Sequence, residues 1–219
     1  MIIFNSHKAL EVIKPFLPDN PIVIEAGAFD GNDTRKMSLL WPKGTIHVFE
    51  PVPEIYERLR NNTNMLSNIV YHSIALSNHT GMAEFYVSER PLKPGIASQA
   101  GSLHKPKERL SKSPLIFPRK ITVSTITLDQ WAYENDIKTI DLLWLDTQGH
   151  ELAILQAASH MINNIKVVFA EVSFIESYEG QPFYEDVIAW MISQGFEYIG
   201  RDFIDTTQGF FGNVVFVKK

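Results

Sequence analysis

The sequence predicts an α/β fold in which a mostly parallel sheet is covered by helices on both faces. Two observations lead to this prediction. Strand-like runs alternate with amphipathic helical segments along most of the chain, and several of these runs, such as "PIVIEAGA" and "IDLLWLDTQG", are almost continuously apolar. Strands buried on both faces have this composition, whereas half-exposed strands alternate apolar with polar residues.

The first half of the chain predicts helices and strands in strict alternation. A helix within residues 1–20 comes first. Then follow the strand "PIVIEAGA", the helix "NDTRKMSLLW" capped by Asn32 or Asp33, the strand "TIHVFEP", the helix "PEIYERLRNNT" and the strands "NIVYHSIAL" and "GMAEFYVS". Apolar residues three and four positions apart identify the helices, and Pro53 suits a first helical turn.

Regular periodicity stops over residues 91–120, which contain five prolines. This segment predicts a long loop, and loops of such length usually cover a functional site. It is also basic, because seven Lys or Arg stand against one acid between Lys93 and Lys120.

The second half of the chain returns to alternation. "KITVSTITLDQWAYEND" predicts a strand and a helix, followed by the strand "IDLLWLDTQG", the helix "HELAILQAASHMI", the strand "IKVVFAEVS" and the helix "PFYEDVIAWMISQGF". "EYIGRDF" and "FFGNVVFVKK" predict two final strands, the last an antiparallel edge. We expect residues 1–219 to form a single domain.

Composition narrows the classes of function. The chain has 219 residues, 45% of them hydrophobic, and no cysteine, which excludes disulfides and thiolate metal sites. A net charge of −5 gives no case for general nucleic-acid binding. No apolar run reaches the roughly 20 residues that a membrane helix needs. We therefore expect a cytoplasmic protein without a nucleic-acid or membrane partner.

Acids and glycines stand at the end of the first predicted strand. Ligands of parallel α/β sheets bind beyond the carboxyl ends of the strands, and here those ends carry Glu25, Gly27, Asp30 and Gly31. Carboxylates beside this turn would repel a pyrophosphate and would suit a cationic amine or sulfonium. The spacing E-x-G-x-x-x-G is typical of methyltransferases that use S-adenosylmethionine, although a plain strand-to-helix turn with a glycine cap remains the alternative.

Glu50 stands at the end of the second predicted strand, 19 residues after Gly31. An acid about 20 residues beyond the glycine turn accepts hydrogen bonds from a ribose diol in nucleotide-binding sheets. Glu50 could also cap the helix that follows Pro51, but capping does not explain the spacing. The combination therefore predicts a nucleoside site.

Two later strands end in acids, Asp146 and Glu171. A carboxylate that ends a buried strand is costly unless it is paired or functional, although Asp146 could also be a helix N-cap. His150 could be a general base, although a solvated histidine is more common in a first helical turn. Asp146, Glu151 and Glu171 could in principle bind a divalent cation, but no tight acidic spacing demands it, and we expect no metal.

The motifs together resemble the FkbM family of S-adenosylmethionine-dependent methyltransferases over about residues 22–171. The resemblance is carried by "VIEAGAFDGNDT", "VFEPVPEIYERLRNN", "HSIALSNHTGMAEFYVS", "GSLH", "VSTITLDQW", "IDLLWLDTQGHELAILQAA" and "VVFAEVS". It implies a Rossmann-like class I methyltransferase fold with a mostly parallel seven-stranded sheet and an antiparallel edge strand.

The resemblance also implies roles for individual residues. The cofactor-binding set comprises Glu25, Gly27, Ala28, Asp30, Gly31, Thr34, Glu50, Pro51, Ala75, Leu76 and Asp146. The candidate substrate-binding residues are Ser102, His104, Gln148 and Glu151, and the candidate catalytic residues are Asp146, Glu171 and His150. Gln148 departs from the glutamate that the family mostly has there; an amide cannot take a proton, so it is not a candidate base.

The predicted function is S-adenosylmethionine-dependent O-methylation of a hydroxyl on a sugar, glycan or small natural product. The basic segment suggests an acidic acceptor such as a uronate or a phosphate, and a solvated basic loop explains the same charge. Two other functions stay open: an NAD-dependent oxidoreductase and a non-catalytic module that binds S-adenosylmethionine. Oligomeric state is not predicted.

Overall fold

The computed structural model describes residues 1–207 and 209–219. The strands are β1 (Ile2–Ile3), β2 (Ile22–Ala26), β3 (Thr45–Phe49), β4 (Ile69–His72), β5 (Ala75–Leu76), β6 (Gly81–Arg90), β7 (Lys93–Ala97), β8 (Ile116–Ile126), β9 (Ile140–Leu145), β10 (Ile165–Ser173), β11 (Phe196–Arg201) and β12 (Phe211–Lys218). The α-helices are α1 (Ala9–Ile13), α2 (Asn32–Leu40), α3 (Pro53–Thr63), α4 (Arg109–Lys112), α5 (Leu128–Glu134), α6 (Glu151–Ala157) and α7 (Tyr184–Ser193).

The main sheet has the strand order β1-β11-β12-β10-β9-β2-β3-β4. Strands β10, β9, β2, β3 and β4 run parallel, which confirms the predicted fold class. Two details differ from the prediction. The antiparallel strand β12 lies between β10 and β11 rather than at the edge, and β1 adds an eighth strand beside β11. Strand β1 has only two residues, Ile2 and Ile3, which is too short for a periodic pattern that would predict it.

Helices cover both faces of this sheet, as predicted. Alternate residues of each central strand point to opposite faces, so that Ile24 and Val23 of β2 belong to different core clusters. Leu155 of α6 and Met191 of α7 pack on the face of Ile24. Helices α1, α2 and α3 cover the other face through Ile13, Met37 and Leu59.

Residues 91–120 are not the single long loop that the prolines predicted. They contain β7, α4 and the start of β8, and a second sheet has the order β5-β8-β6-β7. A proline is tolerated in β8 because β5 pairs only with Thr125 and Ile126. At Pro118, β8 is therefore an edge strand on that side, where a missing backbone N–H costs no sheet hydrogen bond. Residues 91–92, 98–108 and 113–115 are the parts of this segment outside the named helices and strands.

The N-terminal helix is shorter than predicted. Strand β1 precedes it, and α1 lies between two 3₁₀ turns, Ser6–Lys8 and Lys14–Phe16. Pro15 has no backbone N–H to donate, which favours the tighter turn at this point. Helix α2 likewise begins after Gly31 rather than after Asn32 or Asp33. Within the described residues, no helix is long and apolar enough to cross a membrane.

Candidate active site

A cleft opens at the carboxyl ends of β2, β3 and β9, the edge where parallel sheets bind ligands. It holds about 550 Å³, including its open mouth. The predicted site residues that line it are Gly27, Glu50, Pro51, Ala75, Leu76, Asp146 and His150. Residues from separate parts of the sequence therefore meet at one place, as the motif order predicted.

The turn after β2 fits only if residue 27 is glycine. Gly27 has a φ of 85°, and a Cβ there would lie 1.9 Å from the carbonyl oxygen of Asp146. The backbone N–H groups of Gly27 and Ala28 donate to the carbonyl oxygen of Phe49 at 3.1 and 3.2 Å. The turn is thus clamped between β9 and β3, which fixes Asp146 and Glu50 on either side of it.

Glu50 is oriented by two backbone groups. Its Oε1 accepts a hydrogen bond from Val52 N at 3.0 Å, and its Oε2 accepts one from Phe29 N at 3.2 Å. Burial raises the pKa of Glu50 to about 7, because loss of solvent outweighs these hydrogen bonds. Each carboxylate oxygen keeps further acceptor capacity, so Glu50 can still receive hydrogen bonds from a diol.

The wall beside Glu50 is mostly apolar and carries no cation. Its apolar lining residues include Phe49, Ile55, Ala75, Leu76, Phe85 and Leu103. Within the described residues, no Lys or Arg lines the cleft, whereas Glu50 and Asp146 both do. The cleft is therefore suited to a flat apolar group and a positive charge, and poorly suited to phosphates.

Asp146 lines the cleft, whereas Glu151 and Glu171 do not; we call these three residues the acid cluster. Gln148 connects two of them, because its Nε2 donates to Asp146 Oδ1 at 2.8 Å and to Glu171 Oε1 at 3.1 Å. Burial raises the pKa of Asp146 and, aided by the neighbouring carboxylates, raises that of Glu171 well above its ordinary value.

Gln148 is held behind the cleft rather than in its wall. Its side-chain oxygen accepts from the hydroxyl of Tyr178 at 3.0 Å, and Ser102 Oγ donates to its backbone oxygen at 2.7 Å. Gln148 and Ser102 are both buried. That these two residues bind the substrate stays a prediction. In the structure, Gln148 orients Asp146 and Glu171 by donating to both, and Ser102 holds Gln148 in place.

Glu151 closes the loop that precedes α6. Its Oε1 accepts from Thr147 N at 2.7 Å, and its Oε2 accepts from Gly149 N at 3.0 Å. Burial raises the pKa of Glu151 to about 7. This carboxylate does not line the cleft, and within the described residues no group of three or more His, Asp or Glu is placed to hold a metal ion.

His150 is buried, which contradicts the expectation of a solvated first-turn histidine. His104 Nδ1 faces the carbonyl oxygen of Glu179 at 3.0 Å and must donate to it. His104 Nε2 then accepts from His150 Nδ1 at 2.9 Å, and His150 Nε2 accepts from Ser77 Oγ at 3.0 Å. Burial lowers the pKa of His150 to about 4, so the ring is neutral at pH 7 with both nitrogens engaged.

Several predicted cofactor residues support the turn without lining the cleft. Glu25 is 2% exposed, and its carboxylate accepts from Thr34 Oγ1 at 2.5 Å. Burial raises the pKa of Glu25 to about 8. Ala28 packs in the core, and Asp30 and Gly31 border a separate surface depression.

Sequence reasoning missed several lining residues. Phe29 and Thr147 lie inside the motifs that carry the family resemblance, but only their neighbours in those motifs were predicted to bind a ligand. Ser98 and Gln99 reach the cleft from the end of β7. No local pattern marks them, because only the fold of the second sheet brings them there.

Comparison with known proteins decides the family. The model of the methyltransferase FkbM domain matches residues 25–198. The chain belongs to the FkbM methyltransferase family. The match begins at Glu25, contains Glu50, Asp146 and Glu171, and ends within β11, so the FkbM domain includes all the strand ends that form the cleft.

Two curated relatives of this FkbM domain are named for sugar chemistry or O-methylation. The chain is 32% identical to the 2-O-methyltransferase NoeI of Sinorhizobium fredii over 165 residues, 75% of this chain and 68% of that protein. It is 20% identical to the hexuronic acid methyltransferase AglP of Haloferax volcanii over 133 residues, 59% of this chain. The match covers 48% of AglP, about half its length.

The solved structures that resemble this FkbM domain include class I methyltransferases. Magnesium protoporphyrin IX methyltransferase of Synechocystis PCC 6803, crystallised with bound S-adenosylmethionine, superposes with a TM-score of 0.55. The match covers 98% of this chain and 77% of that one at 12% identity. At 12% identity this likeness confirms the Rossmann-like fold alone.

Proposed function

We propose that this FkbM domain transfers a methyl group from S-adenosylmethionine to a hydroxyl of a sugar or glycan. The observation that carries the proposal is the charge of the cleft, which has two carboxylates in its wall and no Lys or Arg among the described lining residues. A sulfonium is favoured there and a pyrophosphate is not. The names of NoeI and AglP support a sugar acceptor.

The residues of the cleft fit the parts of the donor. Glu50, fixed by two backbone N–H groups, would accept the ribose hydroxyls, and Ala75, Leu76 and Phe85 would pack against the adenine. Gly27 permits close approach of the backbone beside Asp146. When bound, the donor supplies a methyl group that is already activated by its positive sulfur.

Asp146 is the base that the geometry favours. It lines the cleft, whereas Glu171 does not, and Gln148 holds its Oδ1 in place. Within the described residues, no hydrogen bond engages its Oδ2, which is left to accept the proton of the acceptor hydroxyl. Both ring nitrogens of His150 are engaged, which makes it a weaker candidate. The enzyme then mainly aligns acceptor and donor.

The alternatives meet specific obstacles. An NAD-dependent oxidoreductase would have to place two phosphates against Glu50 and Asp146 without a lining cation. A non-catalytic module was suggested by Gln148. In the structure, however, Gln148 orients two carboxylates by donating to both, which an amide NH₂ group can do and an ionised carboxylate cannot.

Thermal unfolding tests the donor class directly. At one hundred times its Kd, S-adenosylhomocysteine should stabilise the protein by about 2.7 kcal/mol, a Tm increase of roughly 5–11 °C, and NAD should produce none. Labelled donor incubated with neutral and acidic sugars then separates an enzyme from a binding module. A stabilising effect of NAD without one of S-adenosylhomocysteine would contradict the proposal.

A further inference from the structure

Arg109 is a buried cation without a hydrogen-bonded anionic partner. It is 8% exposed, its Nε is buried without a hydrogen bond, and within the described residues its side chain forms no ion pair within 4.0 Å. Other cations of the basic segment behave differently. Lys105 and Lys107 are exposed and pair with Glu179 and Glu176. Lys93 and Lys112 are exposed to solvent, so Arg109 is the buried cation of this segment that lacks a carboxylate partner within the described residues.

Two aromatic rings hold the guanidinium in place. Its Cζ lies 4.8 Å from the centre of the Phe210 ring and 5.7 Å from that of Phe211. The backbone oxygen of Phe210 accepts from Phe174 N at 2.9 Å and from Ser173 Oγ at 3.1 Å. The guanidinium thus stacks on a residue that is tied to the carboxyl end of β10, the strand that carries Glu171.

Arg109 lies outside the lining of the cleft, but its backbone is tied to the residues that support the acid cluster: its N donates to Ser177 O at 3.1 Å, next to the Tyr178 that bonds Gln148. Burial raises the pKa of Glu171 and Asp146, and the charge of Arg109 opposes that rise; within the described residues it forms no ion pair with either carboxylate. Burial raises the pKa of Tyr178, the residue that bonds Gln148, and the charge of Arg109 opposes that rise too. The guanidinium is therefore within electrostatic range of Asp146 and is still free to form its own hydrogen bonds.

An unpaired buried guanidinium is unfavourable unless a ligand or a paired charge compensates it. Its planar fork of N–H groups matches the oxygens of a carboxylate or phosphate, to which it can donate two parallel hydrogen bonds. The ring centres of Phe210 and Phe211 lie 4.8 and 5.7 Å from the guanidinium Cζ, so cation–π attraction stabilises the charge there.

We propose that Arg109 binds an anionic group, the carboxylate or phosphate of a sugar acid or sugar phosphate, and thereby directs a neighbouring hydroxyl of the acceptor to Asp146. This inference rests on the proposed function and narrows its acceptor to acidic sugars. The competing interpretation is that Arg109 only balances the charge of the acid cluster, in which case it would not discriminate between acceptors.

Binding of paired probes to the full chain distinguishes the two interpretations. The Kd values of methyl β-glucuronide, glucose 6-phosphate and neutral methyl β-glucoside are measured by calorimetry with and without saturating S-adenosylhomocysteine. The variants are Arg109→Met, Arg109→Lys and the control Lys112→Met, which removes an exposed cation of the same helix. Circular dichroism checks folding, which Arg109→Met should leave intact because it removes an unpaired buried charge.

The parent protein and Lys112→Met should bind at least one anionic sugar about 10-fold or more tightly than the glucoside. Arg109→Met should lose that preference, and Arg109→Lys should keep only part of it. The probe that binds identifies the group as carboxylate or phosphate. Equal affinity of the parent protein for all three sugars, or a preference unchanged in Arg109→Met, overturns the inference.

Failure of the proposed function gives a different result. If S-adenosylhomocysteine does not bind while the Arg109-dependent preference persists, the donor assignment is wrong and the anion site remains. If S-adenosylhomocysteine binds and the preference is absent, the donor assignment remains and Arg109 is a charge-balancing residue.

Discussion

The two sides of the cleft are built in different ways. The proposed nucleoside side, comprising Gly27, Glu50, Ala75 and Leu76, is fixed by backbone groups close to the strand ends, such as Val52 N two residues from Glu50. The proposed acceptor side, which comprises Asp146 in the lining and Gln148, Glu171 and Arg109 behind it, is fixed by side chains from distant segments. Gln148 contacts Tyr178 30 residues away, and Ser102 bonds Gln148 across 46 residues.

This difference suggests how the two sides tolerate change. A common donor requires the same backbone turn and the same acid, whereas the acceptor site can be altered by replacing side chains on loops that a rigid sheet supports. Substitutions on the nucleoside side should therefore affect donor binding and stability together. Substitutions on the acceptor side should change turnover while donor binding is retained.

Asp146→Asn should give the largest effect and separates the two sides most clearly. Loss of the base should reduce kcat by about 100-fold to 10,000-fold, because the amide cannot accept the hydroxyl proton. The Kd of S-adenosylhomocysteine, measured by calorimetry, should change little. Asp19→Asn removes an exposed acid before β2 and serves as the control. Unchanged kcat across the pH range would exclude Asp146 as the base.

Gly27→Ala tests whether the turn is as tightly clamped as its contacts indicate. A matched control is Gly195→Ala, since Gly195 has a φ of 80° and open space around its Cβ position, whereas Gly27 has a φ of 85° and the Asp146 oxygen 1.9 Å from that position. Chemical denaturation should show a loss of about 1–2 kcal/mol for Gly195→Ala, from backbone strain alone. Gly27→Ala should lose about 3 kcal/mol or more, because overpacking is added. Equal losses would show that the clamp relaxes readily.

The same difference explains how much of the site the sequence could predict. Glu50 was predicted from its distance to the glycine turn, because that spacing reflects one crossover between neighbouring parallel strands. The fold class followed from apolar strands alternating with helices. Arg109 could not be distinguished from the other cations of the basic segment, for which an acidic acceptor and a solvated loop both stayed open, since no local pattern shows its contacts with Phe210 and Phe211. The bonding of Gln148 to Tyr178 was missed for the same reason.

Glu50→Gln sharpens the assignment of the nucleoside side. A carboxylate that receives two ribose hydroxyls contributes charge-assisted hydrogen bonds, and their loss should weaken S-adenosylhomocysteine binding about 10-fold to 100-fold. The amide nitrogen would also face Val52 N or Phe29 N, so stability should fall as well. Calorimetry measures the affinity, and Glu57→Gln, at an exposed position of α3, is the control. A folded variant with unchanged affinity would refute the ribose assignment.

Glu25→Gln should give the smallest effect, and it separates support of the turn from donor binding. Burial raises the pKa of Glu25 from 4.5 to about 8, so between these pH values the folded state binds more protons than the unfolded state. Stability therefore falls as pH rises through this window, with a slope of about 1 kcal/mol per pH unit from this group.

Thr34 Oγ1 can donate to the oxygen of Gln as it does to Glu, so the variant should be nearly as stable at pH 5. Denaturation at pH 5 and pH 8 should show a smaller decline for Glu25→Gln than for the parent protein. Burial lowers the pKa of His150 to about 4, so this residue makes stability rise with pH, the opposite of the effect of Glu25. His150 does so only below about pH 6.5. Above that pH, the buried acids determine the change in stability. Parallel pH profiles for the two proteins would mean that Glu25 titrates normally and that its burial does not control the stability of the turn.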